Sequence, residues 1–270
     1  MIRHKQMLLD VGGTFIKCFD GREIMINSNG SREDIISSLK EAVGDAGKVA
    51  VAIPGPFDFK TGTFLMRHKF SSVYGERFCD LVGRDASCFR FIHDVNCMLV
   101  GELCKDGGNL KVAPNTALIT LGTGLGFSMC IDGHVLVNEV GSPKHAIYNI
   151  PCRDTILEDY VSKRGVLRGY DGKSAKEVAK MAYDGDYSAI ARFEECGALL
   201  SGAVAPILEK FKIEQVLFGG QISRSFSLFE GSVRAGLSRV ECIRRIAPVS
   251  DISNATFNGL RVLMEGKVEL

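Results

Sequence analysis

One pattern occurs twice in this chain. An apolar run over residues 6–10 ends at an acid and is followed by Gly12-Gly13-Thr14. A second β-compatible run, 15–19, ends at Asp20-Gly21, and a third covers 23–27. The order then returns: a strand over 117–121, the turn Gly122-Thr123-Gly124-Leu125-Gly126, a strand over 127–131, and Asp132-Gly133. Asp-Gly between apolar runs is a strong short-range hairpin signal. The echo points to two similar domains, although two copies do not make a repeat array.

The segments between these hairpins add helices. Ser31-x-x-Asp34 is a capping-box-like start, and Ile35, Ile36, Leu39 and Val43 follow at helical spacing before Gly44 and Gly47. Residues 48–53 read as a buried strand stopped by Pro54-Gly55-Pro56, and residues 57–86 carry no clear periodicity. A strand over 88–92 runs into His93-Asp94-Val95-Asn96 and a helix to residue 103. Beyond a linker at 106–109 and the second hairpin set, helices are predicted over 155–165, 174–183 and 187–212. A strand over 215–218 meets Gly219-Gly220, a late strand ends at Ile246, and a last helix covers 254–264. Strands alternating with helices define an α/β protein.

Composition narrows the function classes. The 33 Lys+Arg balance 32 Asp+Glu, which argues against a nucleic-acid scaffold and leaves only a local basic patch open. No apolar run reaches the roughly 18 residues of a membrane span. No secretory leader is read at the N-terminus. The nine cysteines include no C-x-x-C pair. They read as reduced core residues of a cytoplasmic protein. Glycine is the outlier, 30 of 270 residues, or about 11% against roughly 7% in an average protein.

That excess directs attention to phosphate. The chain has neither G-x-x-x-x-G-K-[ST] nor G-x-G-x-x-G. It has three strand-to-glycine junctions instead: Asp10-x-Gly12-Gly13-Thr14, Gly122-Thr123-Gly124 and Gly219-Gly220. Glycine lets backbone N–H groups approach anionic oxygens, and threonine adds a hydroxyl. Each junction alone reads as an ordinary turn; together they suit a nucleotide clamped between two domains. Asp10 is then placed to hold Mg²⁺, through water, because that ion keeps much of its hydration shell. Asp94 sits between a strand and a helix, where α/β proteins bind ligands. It is either a general base for phosphoryl transfer or the N-cap of its helix.

The ordered set of motifs resembles the ROK family of sugar kinases and repressors, within the actin-like ATPase superfamily. Leu9-Asp10-Val11-Gly12-Gly13-Thr14-Phe15-Ile16-Lys17 resembles the family's first phosphate motif, and Ile53-Pro54-Gly55-Pro56 its sugar-domain turn. His93-Asp94-Val95-Asn96 with Gly101-Glu102 resembles N-D-x-N…G-E. Leu121-Gly122-Thr123-Gly124 resembles the second phosphate motif, and Glu139-Val140-Gly141-Ser142 resembles E-x-G-H. Leu157-Glu158 resembles the sugar-binding acid, and Phe218-Gly219-Gly220-Gln221-Ile222-Ser223 the adenosine motif. The order is kept over nearly the whole chain.

The resemblance implies an ATP-dependent kinase acting on a hexose hydroxyl, with Asp94 as base and Glu139 and Glu158 on sugar hydroxyls. It implies Asp10 near Mg²⁺, and Gly12, Gly13, Thr14, Gly122, Thr123 and Gly124 around the phosphates. Gly219 and Gly220 would lie against adenosine, and Pro54 and Gly55 would belong to the sugar side. Lys17 shares the first motif, although a lysine on a hairpin strand is equally a solvated one. The implied architecture is two ribonuclease-H-like α/β lobes with an active-site cleft between them. The smaller lobe covers about 1–112 and the larger about 113–252, and the last helix, about 253–270, returns to the first. Homodimers are frequent in such a family.

The departures from the pattern are specific. His93 stands where the family has Asn, Ser142 where it has His, and Gln221 where it has Gly. The family's cysteine loop is reduced to Cys152, with His145 nearby, too few ligands for structural zinc. His93 reads either as a sugar ligand or as a half-buried histidine. Arg67-His68-Lys69, a small basic run near the crevice, reads as a solvated face rather than a sugar-phosphate clamp. The first motif begins by Leu8, leaving no room for a DNA-binding helix-turn-helix, so DNA binding is not expected. A family member that binds sugar or nucleotide without chemistry is the alternative to an active kinase.

Overall fold

This computed structural model describes residues 5–268. Contacts divide the chain into two units. One takes in the chain up to Gly108, the segment Val137–Lys144, and everything from Ser253 onward. The other takes in Asn109–Leu136 and His145–Ile252.

In the first unit β1 (Gln6–Val11) buries Met7, Leu8, Leu9 and Val11, so both of its faces are covered and it runs inside the sheet. β2 (Phe15–Cys18) alternates exposed and buried residues, as a half-covered strand should, and β3 (Glu23–Met25) forms the edge. α1 (Arg32–Val43) opens on Ser31, whose side chain accepts from Asp34 N–H, and stops at Gly44 with φ 55°. β4 (Lys48–Ile53) follows. The unassigned stretch then resolves into β5 (Phe57–Asp58), β6 (Thr63–Phe64) and α2 (Phe78–Val82). These elements are too short to show a period. They are fastened by rings: Phe57 and Phe64 lie 5.1 Å apart, Phe64 and Phe70 5.3 Å, and Phe78 and Phe89 5.4 Å. β7 (Phe89–His93) passes directly into α3 (Asp94–Leu103).

The sheet order is β3-β2-β1-β4-β7. β1, β4 and β7 are parallel, in a register that pairs Asp10 with Ala52 and Ile53 with His93. Their carboxyl ends therefore lie side by side, and Asp10, Pro54-Gly55 and His93-Asp94 leave the sheet together.

The second unit repeats this order. β8 (Thr116–Leu121), β9 (Leu125–Ile131) and β10 (His134–Val135) form the antiparallel set. β11 (Pro151–Cys152) and β12 (Thr155–Ile156) form a small hairpin. α4 (Glu158–Val161), α5 (Lys163–Val166), α6 (Ala175–Tyr183) and α7 (Tyr187–Lys210) follow, then β13 (Gln215–Gly219), α8 (Glu230–Leu237) and β14 (Arg245–Pro248). The order is β10-β9-β8-β13-β14, with β8, β13 and β14 parallel. The helix predicted over 155–165 is thus corrected. It begins only at Glu158, and it breaks at Ser162, whose hydroxyl accepts from Arg164 N–H to start the next turn. Among the described residues no helix is long and apolar enough to cross a membrane.

The closing helix α9 (Ala255–Met264) belongs to the first unit and crosses α3 at two glycines. A Cβ on Gly259 would collide with the Cys97 carbonyl, and one on Gly101 with the Ala255 carbonyl. Cys97 Sγ donates to Thr256 O at 3.1 Å in the same crossing. Because α3 starts at Asp94, this backbone-to-backbone contact seats the helix that carries it. Gly259→Ala is expected to cost about 3 kcal/mol, the upper part of the overpacking range. Urea unfolding checks this, and a loss below about 1 kcal/mol would mean that the helices do not touch through their backbones.

Candidate active site

Asp10 occupies the end of β1 directly across from Lys17 on β2. Burial, and then the charge of Asp94, push its carboxyl up to about 6, while Lys17 pulls the other way. The turn beyond it is tight: Gly12 N–H donates to Phe15 O at 2.9 Å, and a Cβ there would stand 3.1 Å from that oxygen. Gly13 O accepts from Ser28 N–H at 3.1 Å, and Ser28 O accepts from Phe70 N–H at 2.5 Å. This two-step ladder ties the Gly13 turn to the loop after β6. Thr14 and Lys17 are exposed. Arg67 and His68 are exposed as the sequence predicts, but Lys69 is half-buried, with Nζ 3.7 Å from where a Gly13 Cβ would be.

Asp94 is the first residue of α3, and His93 takes the N-cap position. Val95 N–H lies 2.8 Å from Asp94 Oδ1 and 3.3 Å from His93 Nδ1, while His93 Nδ1 is 2.8 Å from Asp94 Oδ1. One nitrogen cannot both accept from Val95 and donate to Asp94. The shorter, charge-assisted contact prevails, so Nδ1–H donates to Asp94, whose Oδ1 also serves the helix start. Burial opposes ionisation of Asp94. The His93 charge and hydrogen bond, Val95 N–H and Lys69 outweigh it and hold the carboxyl below the ordinary range. Its side chain keeps 39% of its surface open, against 15% for His93, so the carboxylate stays reachable.

His93 Nε2 is left facing Gly55. A Cβ on Gly55 would lie 3.3 Å from Nε2 and 3.4 Å from Ser142 Oγ, so these two polar atoms converge on space that glycine leaves open. The Phe59 ring stands 5.6 Å from the His93 ring. Asn96 Nδ2 donates to Gly141 O at 3.3 Å, joining α3 to the turn that carries Glu139 and Ser142. In that turn Asn138 Oδ1 accepts from Val140 and Ser142 N–H, and Glu139 is exposed. The first unit thus gathers Asp10, Gly12, Gly13, Lys17, Lys69, His93, Asp94, Gly55 and Ser142 around the carboxyl ends of its parallel strands.

The second unit holds the other glycines. Gly122 N–H donates to Gly124 O at 3.0 Å, Gly122 O accepts from Lys163 N–H at 2.8 Å, and Thr123 is exposed. Glu158 is fully engaged within this unit. Its Oε2 accepts from Leu125 N–H at 2.8 Å, and its Oε1 pairs with Arg164 at 2.5 Å. A Cβ on Gly124 would press on Glu158 Oε2 at 2.9 Å. Gly220 has φ 82°, and a Cβ there would strike the Leu121 carbonyl, so glycine is required on both counts. Ser223 Oγ donates to Gly219 O at 2.6 Å. Beyond it opens a cavity of about 700 Å³, lined by Ser223, Arg224, Glu230, Arg234, Val249 and Asp251 among others.

Sequence reading passed over Ser28 and Arg164, and gave Lys69 to a solvated face. Lys69 and Ser28 act through contacts far along the chain, whereas Arg164 pairs with Glu158 and Asp159 across the break between α4 and α5, which the sequence does not announce. Among the described residues no group of three or more His, Cys, Asp and Glu is arranged to hold a metal. Asp10 fits Mg²⁺ in the way that ion uses proteins: one carboxylate, with phosphate oxygens and waters completing the shell.

The ROK family profile matches residues 29–258. The N-acetyl-D-glucosamine kinase of Haemophilus influenzae is 24% identical over 253 residues, covering 84% of this chain and 83% of that protein. The glucokinase of Thermotoga maritima is 23% identical over 238 residues, covering 75% and 74%. The structure of a ROK family glucokinase from Streptomyces griseus, in complex with glucose and AMPPNP, superposes with a TM-score of 0.76 at 20% identity, over 96% of this chain and 98% of that one. With most of its length inside the family profile, and with two five-stranded sheets of the same order, this chain belongs to the ROK family and has its actin-like ATPase fold.

Proposed function

We propose that this protein transfers the γ-phosphoryl group of ATP to a hydroxyl of a hexose or hexose derivative, with Asp94 as the general base. The observation that carries the reading is the state of Asp94. It is a reachable carboxylate held ionised at the end of β7, in the same cluster as Asp10 and the Gly12-Gly13 turn. The kinases among the relatives support the same class of reaction.

In this reading the acceptor O–H gives its proton to Asp94 as its oxygen attacks phosphorus, and ADP leaves with the bridging electron pair. Pro54, Gly55, His93 and Glu139 hold the sugar, with Ser142 in place of the family's histidine. Glu158 reaches a sugar hydroxyl only by giving up Arg164. Gly12, Gly13, Thr14, Lys17, Gly122, Thr123 and Gly124 take phosphate oxygens through N–H, hydroxyl and ammonium donors. Gly219 and Gly220 lie against adenosine, for which the neighbouring cavity supplies room and hydrogen-bonding side chains. Bound Mg²⁺, held by Asp10, would neutralise phosphate charge.

A coupled ADP-release screen over hexoses, N-acyl hexosamines and sugar phosphates with Mg-ATP tests this. One acceptor class is expected to stimulate ADP release by about 10²-fold or more over water. Tight sugar or nucleotide binding with no ADP formed across the panel would replace the kinase reading with that of a binding protein.

A further inference from the structure

The lysine that sequence reading assigned to a solvated face is held inside the cluster by its backbone. Phe70, the next residue, has φ 53°, a left-handed conformation uncommon outside glycine. Its ring is fully buried and its N–H is taken by Ser28 O, whose own N–H is taken by Gly13 O. The bend that turns Lys69 inward is therefore fixed to the Gly13 turn by two main-chain hydrogen bonds and one buried ring. Lys69 Nζ and Cε both lie 3.7 Å from the position of a Gly13 Cβ. Among the described residues its ammonium closes no ion pair, although Asp94 is near enough to feel its charge.

Lys17 faces Asp10 across the β1–β2 pair, and Lys69 lies against the Gly13 turn, close enough to Asp94 for its charge to favour the carboxylate. We propose that Lys69 is a further catalytic residue, which binds the oxygens of the γ-phosphoryl group as it passes over Gly13 toward the acceptor beside Asp94. The proposal rests on the kinase reading. In the step, the acceptor oxygen bonds to the γ-phosphorus and the bond from that phosphorus to the β,γ-bridging oxygen breaks. The electron pair leaves with ADP, the acceptor proton goes to Asp94, and Lys69 keeps its own proton throughout. A fixed ammonium beside the transferred group offsets charge where the transition state spreads it over equatorial oxygens. A shielded position strengthens the interaction relative to a solvated lysine.

The test compares Lys69→Met and Lys69→Arg with the wild-type protein. The readouts are steady-state kinetics and calorimetric titration of Mg-ATP and Mg-ADP. Lys69→Met is expected to lower kcat by about 10²-fold, with acceptor KM changed by less than about threefold. It should also lose the preference for ATP over ADP, while ADP affinity stays within about twofold, because only ATP carries the γ-phosphate. Lys69→Arg, which keeps the charge, should recover at least part of both. A kcat within about threefold of wild type, or a raised acceptor KM with kcat kept, would overturn the assignment; the second result would move Lys69 to the acceptor. The binding arm needs no turnover. A wild-type protein that forms no ADP with any acceptor removes the kinase reading, yet an unchanged or lost ATP-over-ADP preference in Lys69→Met still decides where Lys69 acts.

Discussion

Asp94→Asn is expected to lower kcat by about 10³-fold, within the range for removal of a general acid–base group. Asparagine keeps the size of the side chain and an acceptor oxygen for Val95 N–H, so the first turn of α3 has no reason to unwind. It cannot take a proton from the acceptor hydroxyl. Nucleotide affinity should therefore stay within about twofold, and the loss should appear in kcat rather than in KM. The pH profile adds a second check. Because the wild-type carboxyl lies below the ordinary range, protonation of Asp94 does not limit activity anywhere near neutrality. The variant should be slow across the whole neutral range rather than showing a displaced limb. Turnover within about threefold of wild type would remove Asp94 from the role of base.

The parts of the fold that sequence reveals are those whose determinants are local. Asp132-Gly133 is a two-residue hairpin loop and Asp20-Gly21 sits in a three-residue one, and the two five-stranded sheets repeat one order because the same signals recur. α1 is legible from Ser31 and the spacing of Ile35, Leu39 and Val43. The stretch over 57–86 is not legible. Its strands are two residues long, and its order comes from rings that meet across β5, β6, α2 and β7. The predicted helix over 155–165 fails for a related reason. Cys152 and Thr155 pair across a hairpin that no periodicity announces.

The candidate site divides along the same line. That Asp10 and Asp94 follow strands, and that Pro54-Gly55 stops another, is a pattern argument, whereas the parallel pairing of those strands is seen only in the sheet. That Lys69 faces Gly13 depends on Ser28 and on a left-handed Phe70, which are visible only once distant segments are paired. His93 shows the limit most clearly. Helix capping by His93 or by Asp94 looks alike in a string of letters. In the structure His93 takes the cap position while its Nδ1–H donates to Asp94, and it is Asp94 Oδ1 that accepts from Val95 N–H.

Asp10→Asn is expected to stabilise the free protein while disabling it. The native carboxyl titrates at about 6, against 3.8 for the unperturbed group, because burial and then the Asp94 charge oppose its ionisation, with Lys17 offering partial relief. The native state therefore binds more protons than the unfolded chain between those two values, and stability falls as pH rises through that window. Above it the deficit is complete, at most about 3 kcal/mol for a shift of this size. Asparagine carries no charge and escapes the deficit. Its advantage should be near zero at pH 4, grow between pH 4 and 6, and level off by pH 8, where Tm rises by roughly 5 °C or more. Millimolar Mg²⁺ should narrow the gap, because a cation bound only by the native wild-type carboxylate stabilises that form by mass action. Turnover should fall in the variant by about 10²-fold or more, since the charge proposed to hold the ion is lost. The acid limb of wild-type kcat/KM for ATP near pH 6 should disappear with it. Thermal melts of the two proteins at pH 4, 6 and 8 are sufficient. If asparagine gave no advantage at pH 8, the Asp10 carboxylate would carry no folding penalty for a bound cation to relieve.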